Sequence, residues 1–189
     1  MSVPDGFTLV LPDDWVTLDL DPDTRDATQG RLIDALVRED PSVAEYRDDV
    51  AAVLSAAAAG AAEDSALLCA LRFDVGPDRG VTQATVLVAA RAVEGPSEPT
   101  VLVADIHAAG FDAEVVDLAA GPAVRLVDRT EEGMLTFGAL VPVPGVEGRL
   151  VIVSLSSPSL TEEAQLSKFF DALADTFAFT WETAVEALG

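Results

Sequence analysis

The chain changes its hydrophobic period near residue 65, and this change most constrains the fold. The segment SALLCALRFDV, residues 65–75, alternates two sets of side chains along its length. One set contains Leu67, Cys69, Leu71, Phe73 and Val75, and the other contains Ala66, Leu68, Ala70, Arg72 and Asp74. Because successive side chains of a strand point to opposite faces, this alternation predicts a β-strand.

Further strand patterns follow along the chain. They are TQATVLVAARAV, AEVVDL, AVRLVDRT, MLTFGALVPV and RLVIVSLSS. The links AAGP, EEG and PGVEG between the last four are short. Since short links favour antiparallel neighbours, we predict a mostly antiparallel sheet. Near the start, FTLVLP and WVTLDL are predicted as two more strands, with PDD as the turn between them.

Two helices are predicted before the long run of strands. Asp21-Pro22 and Asp40-Pro41 each start one, because proline suits the first helical position, where its missing N–H would be unpaired anyway. Ser42 and Glu45 have the spacing of a capping box for the second helix. Apolar residues at helical spacing then continue, and we expect this helix to end near Gly60.

Two more helices are predicted later in the chain. The segment TVLVADIHAAG is interpreted as a short helix closed by Gly110. Ser159 and Glu162 form a capping-box pair before the last helix. An apolar and largely aromatic stripe follows them, made of Leu166, Phe169, Phe170, Leu173 and Phe177. This stripe should pack on the sheet, so the order of elements predicts an α+β fold with helices against one sheet.

The composition favours one globular domain over residues 1–189. Half of the 189 residues are hydrophobic, and a chain of this length can bury a sizeable core without disulfides or metals. The balance of 33 acidic against 11 basic residues gives a net charge of −22. Phosphate backbones and anionic lipid surfaces would repel such a chain, which disfavours nucleic-acid binding. A basic partner or a cationic ligand fits this charge, and so does a merely solubilising surface.

Several features predict a cytoplasmic protein. Cys69 is the only cysteine, so no internal disulfide and no cysteine-based metal cluster can form. The start, MSVPDGFTLVLP, has no basic segment followed by an apolar one, and no apolar run is long enough for a membrane span. We therefore expect no membrane insertion. Lysine occurs once, at Lys168, while alanine, valine and aspartate are abundant, which is typical of a high-GC genome such as that of an actinobacterium.

Asp19, Asp21 and Asp23 alternate like the first ligands of a calcium loop. An EF-hand loop requires glycine at its sixth position and glutamate at its twelfth, but counting from Asp19 these positions hold Thr24 and Gly30. The preferred hypothesis is a helix start, in which Asp21 caps the helix and acidic residues lie near its positive end. A weak cation site is the alternative.

The other candidate residues also favour structural roles. His107, the only histidine, could act as a general base, but Asp105 is two residues away and would not share its helical face. Cys69 lies on an apolar strand face and is interpreted as a buried, inert thiol. Trp15 opens a strand and is expected to pack in the core.

The acidic pairs also favour structural roles, and phosphate-binding motifs are absent from the sequence. Glu131-Glu132 precede a glycine and are interpreted as a hairpin turn, while Glu162-Glu163 lie in the first turn of the last helix, where the helix dipole favours them. The sequence contains no glycine-rich phosphate loop and no Gly-x-Ser-x-Gly motif. We therefore predict no catalytic, cofactor-binding or metal-binding residues, and no cofactor.

Both ends of the chain resemble one family. The start GFTLVLPDDWVTL, with Phe7, Pro12 and Trp15, is similar to the opening of the PsbP-like family, which includes photosystem accessory subunits, Ran-binding Mog proteins and mycobacterial lipoproteins. The end RLVIVSLSSPSLTEEAQLSKFFDALADTFAF, with its apolar strand, helix and phenylalanines, is similar to the close of that family. The resemblance implies an α/β/α sandwich around an antiparallel sheet and a non-catalytic accessory or binding role. It carries over no functional residues.

The predicted function is a non-catalytic cytoplasmic interaction or accessory module with an unidentified protein partner. The segment DPDTRDATQGRLIDALV also resembles actinobacterial proteins associated with type VII secretion, which gives a role beside a secretion apparatus as an alternative context. Two alternatives stay open: a small-molecule binding domain with a pocket between sheet and helices, and an enzyme that uses carboxylates. The oligomeric state is not predicted.

Overall fold

The computed structural model describes residues 3–76, 80–130, 133–158 and 163–181. Over these ranges the predicted α+β fold is confirmed, with nine strands, four α-helices and one 3₁₀ helix. The strands are β1 Gly6–Thr8, β2 Val16–Thr17, β3 Ala66–Gly76, β4 Gly80–Ala92, β5 Asp112–Leu118, β6 Gly121–Arg129, β7 Leu135–Pro142, β8 Arg149–Ser157 and β9 Ala178–Thr180. The helices are α1 Arg25–Glu39, the 3₁₀ helix Pro41–Tyr46, α2 Arg47–Glu63, α3 Pro99–Ala108 and α4 Glu163–Asp175.

Seven of the described strands form the main sheet, in the order β2-β3-β4-β8-β7-β6-β5. All of its pairings are antiparallel, as the short links predict. The cross-strand register places one row of side chains on a single face of the sheet. This row contains Cys69, Leu87, Ser154, Gly138, Leu126 and Ala113. We call this side the α1 face and the opposite side the α4 face.

Helices α1, α2 and α3 cover the α1 face. Val50 and Leu54 of α2 are fully buried against Cys69 and Leu71 of β3. At the other end of the sheet, Leu102 of α3 is buried with residues of β5, β6 and β8. Apolar burial of this kind contributes roughly 1.5–3 kcal/mol for each fully buried large side chain.

Aromatic side chains form the core of the α4 face. Phe170 of α4 stacks on Phe137 of β7 with ring centroids 5.7 Å apart. Phe177 lies just beyond α4 and contacts Phe7 of β1 at 5.6 Å and Phe179 of β9 at 5.2 Å. Strands β1 and β9 pair with each other in a small separate sheet. With helices on one face and α4 on the other, the architecture is an α/β/α sandwich.

The first helix begins later than predicted. Its regular part starts at Arg25, because residues 22–24 form a turn in which the Asp21 carbonyl accepts from the Arg25 amide at 2.8 Å. The Asp21 side chain accepts from the Asp23 amide, as a helix cap would, at 2.9 Å. Proline therefore lies in the turn that leads into α1 rather than in α1 itself.

The second helix also differs at its start. A 3₁₀ helix precedes α2, and Asp40 caps it by accepting from the backbone amide of Ser42 at 2.9 Å. The Ser42 hydroxyl donates to Asp40 at 2.7 Å, so the predicted capping box with Glu45 is wrong. Helix α2 continues to Glu63, beyond the predicted end near Gly60. The predicted capping box of α4, Ser159 and Glu162, lies outside the described residues.

Three details of the strand predictions also need correction. Strands β1 and β2 do not pair with each other: β1 pairs with β9 and β2 with β3. Strand β1 ends at Thr8, well short of Pro12. Leu67 does not share the buried face of Cys69, because an irregularity in the register between Ala66 and Leu68 leaves it 55% exposed.

Candidate functional site

An open groove of about 730 Å³ lies on the α4 face, between helix α4 and strands β5 and β6. Its apolar lining comes from Val116, Leu118, Ala139, Phe170, Ala172 and Ala174. Its polar lining comes from Glu114, Asp117, Arg125, Ser167, Asp171 and Asp175. The groove thus combines an apolar surface with charged groups, as ligand-binding sites commonly do.

The groove exists because the α4 face is wider than the elements that cover it. Seven strands at a spacing of about 4.8 Å span roughly 29 Å, whereas a helix with its side chains is only about 10–12 Å wide. Helix α4 lies over β6 and β7, where Phe170 contacts Phe137 and Asp171 contacts Arg125. The small sheet packs near Phe177 and contributes nothing to the groove. The described residues consequently leave strand β5 beside α4 without a full cover.

Arg125 holds α4 against the sheet at the centre of the groove. Its Nε donates to Asp171 at 2.6 Å and its terminal nitrogen donates to the Ser167 hydroxyl at 2.7 Å. A second terminal nitrogen lies 3.7 Å from the Glu114 carboxylate. The guanidinium carbon lies 5.7 Å from the centre of the Phe137 ring, close enough for a cation–π contact. These four neighbours keep the Arg125 side chain only 17% exposed.

The groove has an excess of negative charge. Three acidic side chains of the α4 face line it, Glu114, Asp171 and Asp175, against one arginine, which leaves a formal charge of −2. The Arg125 guanidinium is already shared between two of these carboxylates. Asp175 accepts a hydrogen bond from the Ala119 amide at 3.2 Å and so connects the end of α4 to the β5–β6 turn. Asp117 borders the groove from β5, but its side chain lies on the α1 face with that of Val115.

Sequence reasoning missed this acidic lining, although one signal for it was present. Ser167, Asp171 and Asp175 recur every four residues along α4, next to the apolar stripe that contains Phe170 and Ala174. Such spacing places them on one side of a helix. Their meeting with Glu114 depends on which strand lies beside α4, and the residue pattern does not show that.

The opening aspartates do not meet in the groove. Asp19 accepts from the hydroxyls of Thr24 and Thr28, at 2.6 and 3.1 Å, and from the Asp21 amide at 3.0 Å. The hydrogen bond from Thr24 is the largest cause that lowers the pKa of the Asp19 carboxyl. These contacts hold the turn before α1, but the N-cap of α1 is Thr24, which has no side-chain capping bond, so the prediction that Asp21 caps this helix is wrong. Within the described ranges, no group of three or more histidine, cysteine or acidic residues could hold a metal ion.

His107 lies at the outer edge of β5. Its Nε2 is 2.8 Å from the Ala113 carbonyl oxygen and 3.3 Å from the Ala113 amide nitrogen. The tautomer decides which of the two groups it bonds: Nε2–H donates to the carbonyl, and a bare Nε2 accepts from the amide. The ring therefore pairs with the backbone of a strand and not with an acidic partner.

The remaining candidates have structural surroundings. Cys69 is fully buried, and burial raises the pKa of its thiol to about 11. Trp15 is half-buried and stacks on Phe169 with centroids 5.6 Å apart. Glu163, at the start of α4, accepts two hydrogen bonds from Arg129, which lower the pKa of its carboxyl. Glu131-Glu132 lie outside the described residues.

Comparisons with known proteins give no relative for this chain: no family model matches it, and neither does any curated protein. Among the helices that the structure describes, none is long and apolar enough to cross a membrane.

Proposed function

We propose that this chain is a non-catalytic interaction module that binds a basic segment of a partner protein in the groove beside α4. The groove, with its apolar lining and its formal charge of −2, carries this proposal. Long basic side chains suit such a surface, because a lysine or arginine can lay its aliphatic stem on apolar groups and place its charge among carboxylates.

The charge of the whole chain supports the same partner class. A net charge of −22 attracts a basic segment over a distance and raises the rate of encounter. Three carboxyl groups with lowered pKa values, Asp19, Asp40 and Glu163, lie away from the groove and are held by local hydrogen bonds. Their roles are structural, which is in keeping with a module that binds rather than catalyses.

We further propose the cellular setting expected from the sequence. The module would be cytoplasmic and actinobacterial, would belong among PsbP-like domains, and would serve as an accessory to a type VII secretion apparatus. The likeness of both chain ends to PsbP-like proteins supports the family, and the likeness of residues 21–37 to actinobacterial proteins associated with type VII secretion supports the setting. Capture of the chain at native abundance from its source organism, beside a groove variant, tests whether one stoichiometric partner is lost with the groove.

A defined probe tests the binding itself. An acetylated and amidated eight-residue peptide of alternating lysine and valine, the Lys-Val peptide, should bind at low ionic strength and weaken with added salt. The corresponding Glu-Val peptide should not bind. Fluorescence anisotropy of labelled peptides gives both dissociation constants.

Two double variants locate the binding site. Glu114→Gln with Asp175→Asn removes two groove charges and should raise the Kd by about fivefold or more. Glu114 is 66% exposed, so this change should leave the fold intact. Asp48→Asn with Asp49→Asn removes the same charge at the start of α2, on the other face of the sheet, and should change the Kd far less. Equal effects of the two double variants would indicate nonspecific attraction to an acidic surface and contradict the proposal.

A second candidate is the binding of a small organic cation. The groove volume of about 730 Å³ lies within the range of about 300–1,000 Å³ that is common for small-molecule sites. A polyamine such as spermidine should then raise the melting temperature of the wild-type chain, and the Glu114 and Asp175 double variant should lose that rise.

A further inference from the structure

The outer edge of β5 borders the groove and forms part of the same surface. Strand β5 is the last strand in the order of the main sheet. It pairs with β6 from Asp112↔Val127 to Leu118↔Gly121, so two residues form the turn of this hairpin. In an antiparallel pair, alternate residues direct both backbone groups to the partner strand or away from it. Half of the β5 backbone therefore points outward.

The His107 contact shows which half of the β5 residues points outward. His107 comes from the end of α3, not from β6, and it reaches both the carbonyl and the amide of Ala113. Ala113 thus directs its backbone groups away from β6. By the two-residue alternation, Val115 and Asp117 direct theirs outward as well. No described residue forms a backbone hydrogen bond with either of them across this edge.

We propose that the basic segment binds as an extended strand, antiparallel to β5, with hydrogen bonds to the outward backbone of Val115 and Asp117. This inference rests on the proposed function, because it names the conformation of the segment that the groove takes. All other pairings of the main sheet are antiparallel, so an added strand of the same direction continues its pattern. His107 already contacts the outward backbone of Ala113, so the added strand should end before it reaches that residue.

The two sides of the edge define the side chains that such a strand carries. On the α4 face, Glu114, Val116 and Leu118 line the groove, so residues on this side should be basic with long aliphatic stems. On the α1 face, Val115 is 46% exposed, and Phe111 nearby in sequence is also 46% exposed. Residues on that side should be apolar. The ligand class is therefore an extended peptide with alternating basic and apolar residues.

Charge disfavours a second copy of this chain as the occupant. Pairing of β5 with β5 would bring Asp112, Glu114 and Asp117 of one chain close to the same residues of the other. Each chain also has a net charge of −22, so association of two copies is opposed over a longer range. A basic peptide is instead attracted both by the acidic residues of β5 and by the net charge of the chain.

N-methylated peptides test the strand geometry. A residue directly opposite Val115 has its side chain on the same face as Val115 and exchanges hydrogen bonds with it, so the valines of the Lys-Val peptide should donate to β5. Methylation of the valine amides should raise the Kd by about tenfold or more, through the lost bonds. Methylation of the lysine amides, which point away from β5, is the matched control and should change the Kd much less.

Proline variants of the chain test the same edge. Val115→Pro removes an outward N–H of β5. It should raise the Kd of the Lys-Val peptide about as much as methylation of the valine amides does. Thr17→Pro is the matched control, because it removes an outward N–H from the opposite edge strand: Leu18, the next residue, donates inward to Cys69. Circular dichroism checks that both variants stay folded, which edge positions permit. If Val115→Pro does not fold, the methylated peptides carry the test alone.

The outcomes separate this inference from the proposed function. In one outcome, removal of the groove charges weakens binding of the Lys-Val peptide, but methylation of its valine amides and Val115→Pro do not. That outcome would overturn the added strand and leave the groove as the binding site. Absence of any saturable binding would overturn both. Concentration-dependent dimers of the free chain that Val115→Pro abolishes would show self-pairing at this edge and contradict the proposed occupant.

Discussion

The two faces of the main sheet are held by different kinds of contact. On the α4 face, aromatic pairs such as Phe137 with Phe170 and Phe7 with Phe177 fill the core. The α1 face contains aliphatic and small side chains such as Leu54, Ala58 and Cys69. In the described part of the chain, every aromatic pair belongs to the α4 face or to its extension at β9.

The two faces are assembled from differently spaced parts of the chain. The α1 face is built mostly from α1, α2 and β3, which follow one another directly. The α4 face joins the two ends of the chain, since Phe7 and Trp15 contact Phe177 and Phe169. The α4 face therefore depends on long-range contacts, and it is also the face that leaves the groove uncovered.

The largest expected effect comes from the aromatic core of the α4 face. Phe170→Ala should lower the free energy of unfolding by about 3–5 kcal/mol, because Phe170 is only 1% exposed and its removal leaves a cavity. Urea denaturation measures the change. Phe111→Ala, at a position 46% exposed, is the control and should stay within about 0.5 kcal/mol. Similar losses from the two variants would show that the aromatic core does not dominate this face.

A smaller loss is expected at the centre of the α1 face. Cys69→Ser should lower the free energy of unfolding by about 1–3 kcal/mol, because it places a hydroxyl in an apolar, fully buried site. In the wild-type chain, burial raises the pKa of this thiol to about 11. A thiol reagent at neutral pH should consequently react only when the chain unfolds. Fast reaction under native conditions would mean that the α1 face opens more readily than its packing indicates.

Gln29 on the same face should give a gain of stability. It is 7% exposed, its Oε1 accepts from the Ser55 hydroxyl at 3.3 Å, and no described residue bonds to its Nε2. Gln29→Leu removes a buried amide group without a partner and should raise the free energy of unfolding by about 1 kcal/mol. Ser55→Ala in the same background should then cost little. A loss of stability in Gln29→Leu would show that the amide has a partner, such as a bound water.

The smallest effects are expected in acid, and they compare one carboxylate from each face. The pKa of Asp19 is lowered mainly by Thr24 and that of Glu163 mainly by Arg129. A lowered folded pKa means that the unfolded chain binds more protons, so the contribution is present above the ordinary values of 3.8 and 4.5. It is lost as the pH falls through the folded values.

Thermal melts between about pH 2 and pH 6 test this dependence. Asp19→Asn and Glu163→Gln should each flatten the fall in melting temperature below about pH 4.5, and added salt should reduce the Glu163 effect more. Asp26→Asn, an exposed aspartate at the start of α1, serves as the control. If the melting temperature falls with pH as steeply in both variants as in the wild-type chain, these two carboxylates do not contribute to the acid response.

Local patterns in the sequence determined most of the elements. The alternation through Cys69 and Leu71 predicted β3, and the stripe through Phe170 and Leu173 predicted α4 with its buried face. Such patterns suffice because side-chain direction within a strand or helix follows from backbone geometry over a few residues. The short links between strands determined the antiparallel pairing for the same local reason.

The position of the groove and the contacts at the outer edge of β5 depend on tertiary structure. Nothing in the spacing around Glu114 or Asp171 shows that β5 lies beside α4, and nothing near His107 shows that its ring pairs with Ala113. The register irregularity that exposes Leu67 is equally hidden. Each of these features depends on the order of strands and on how far one helix extends over the sheet. Those are set by packing between distant segments, which a local period does not contain.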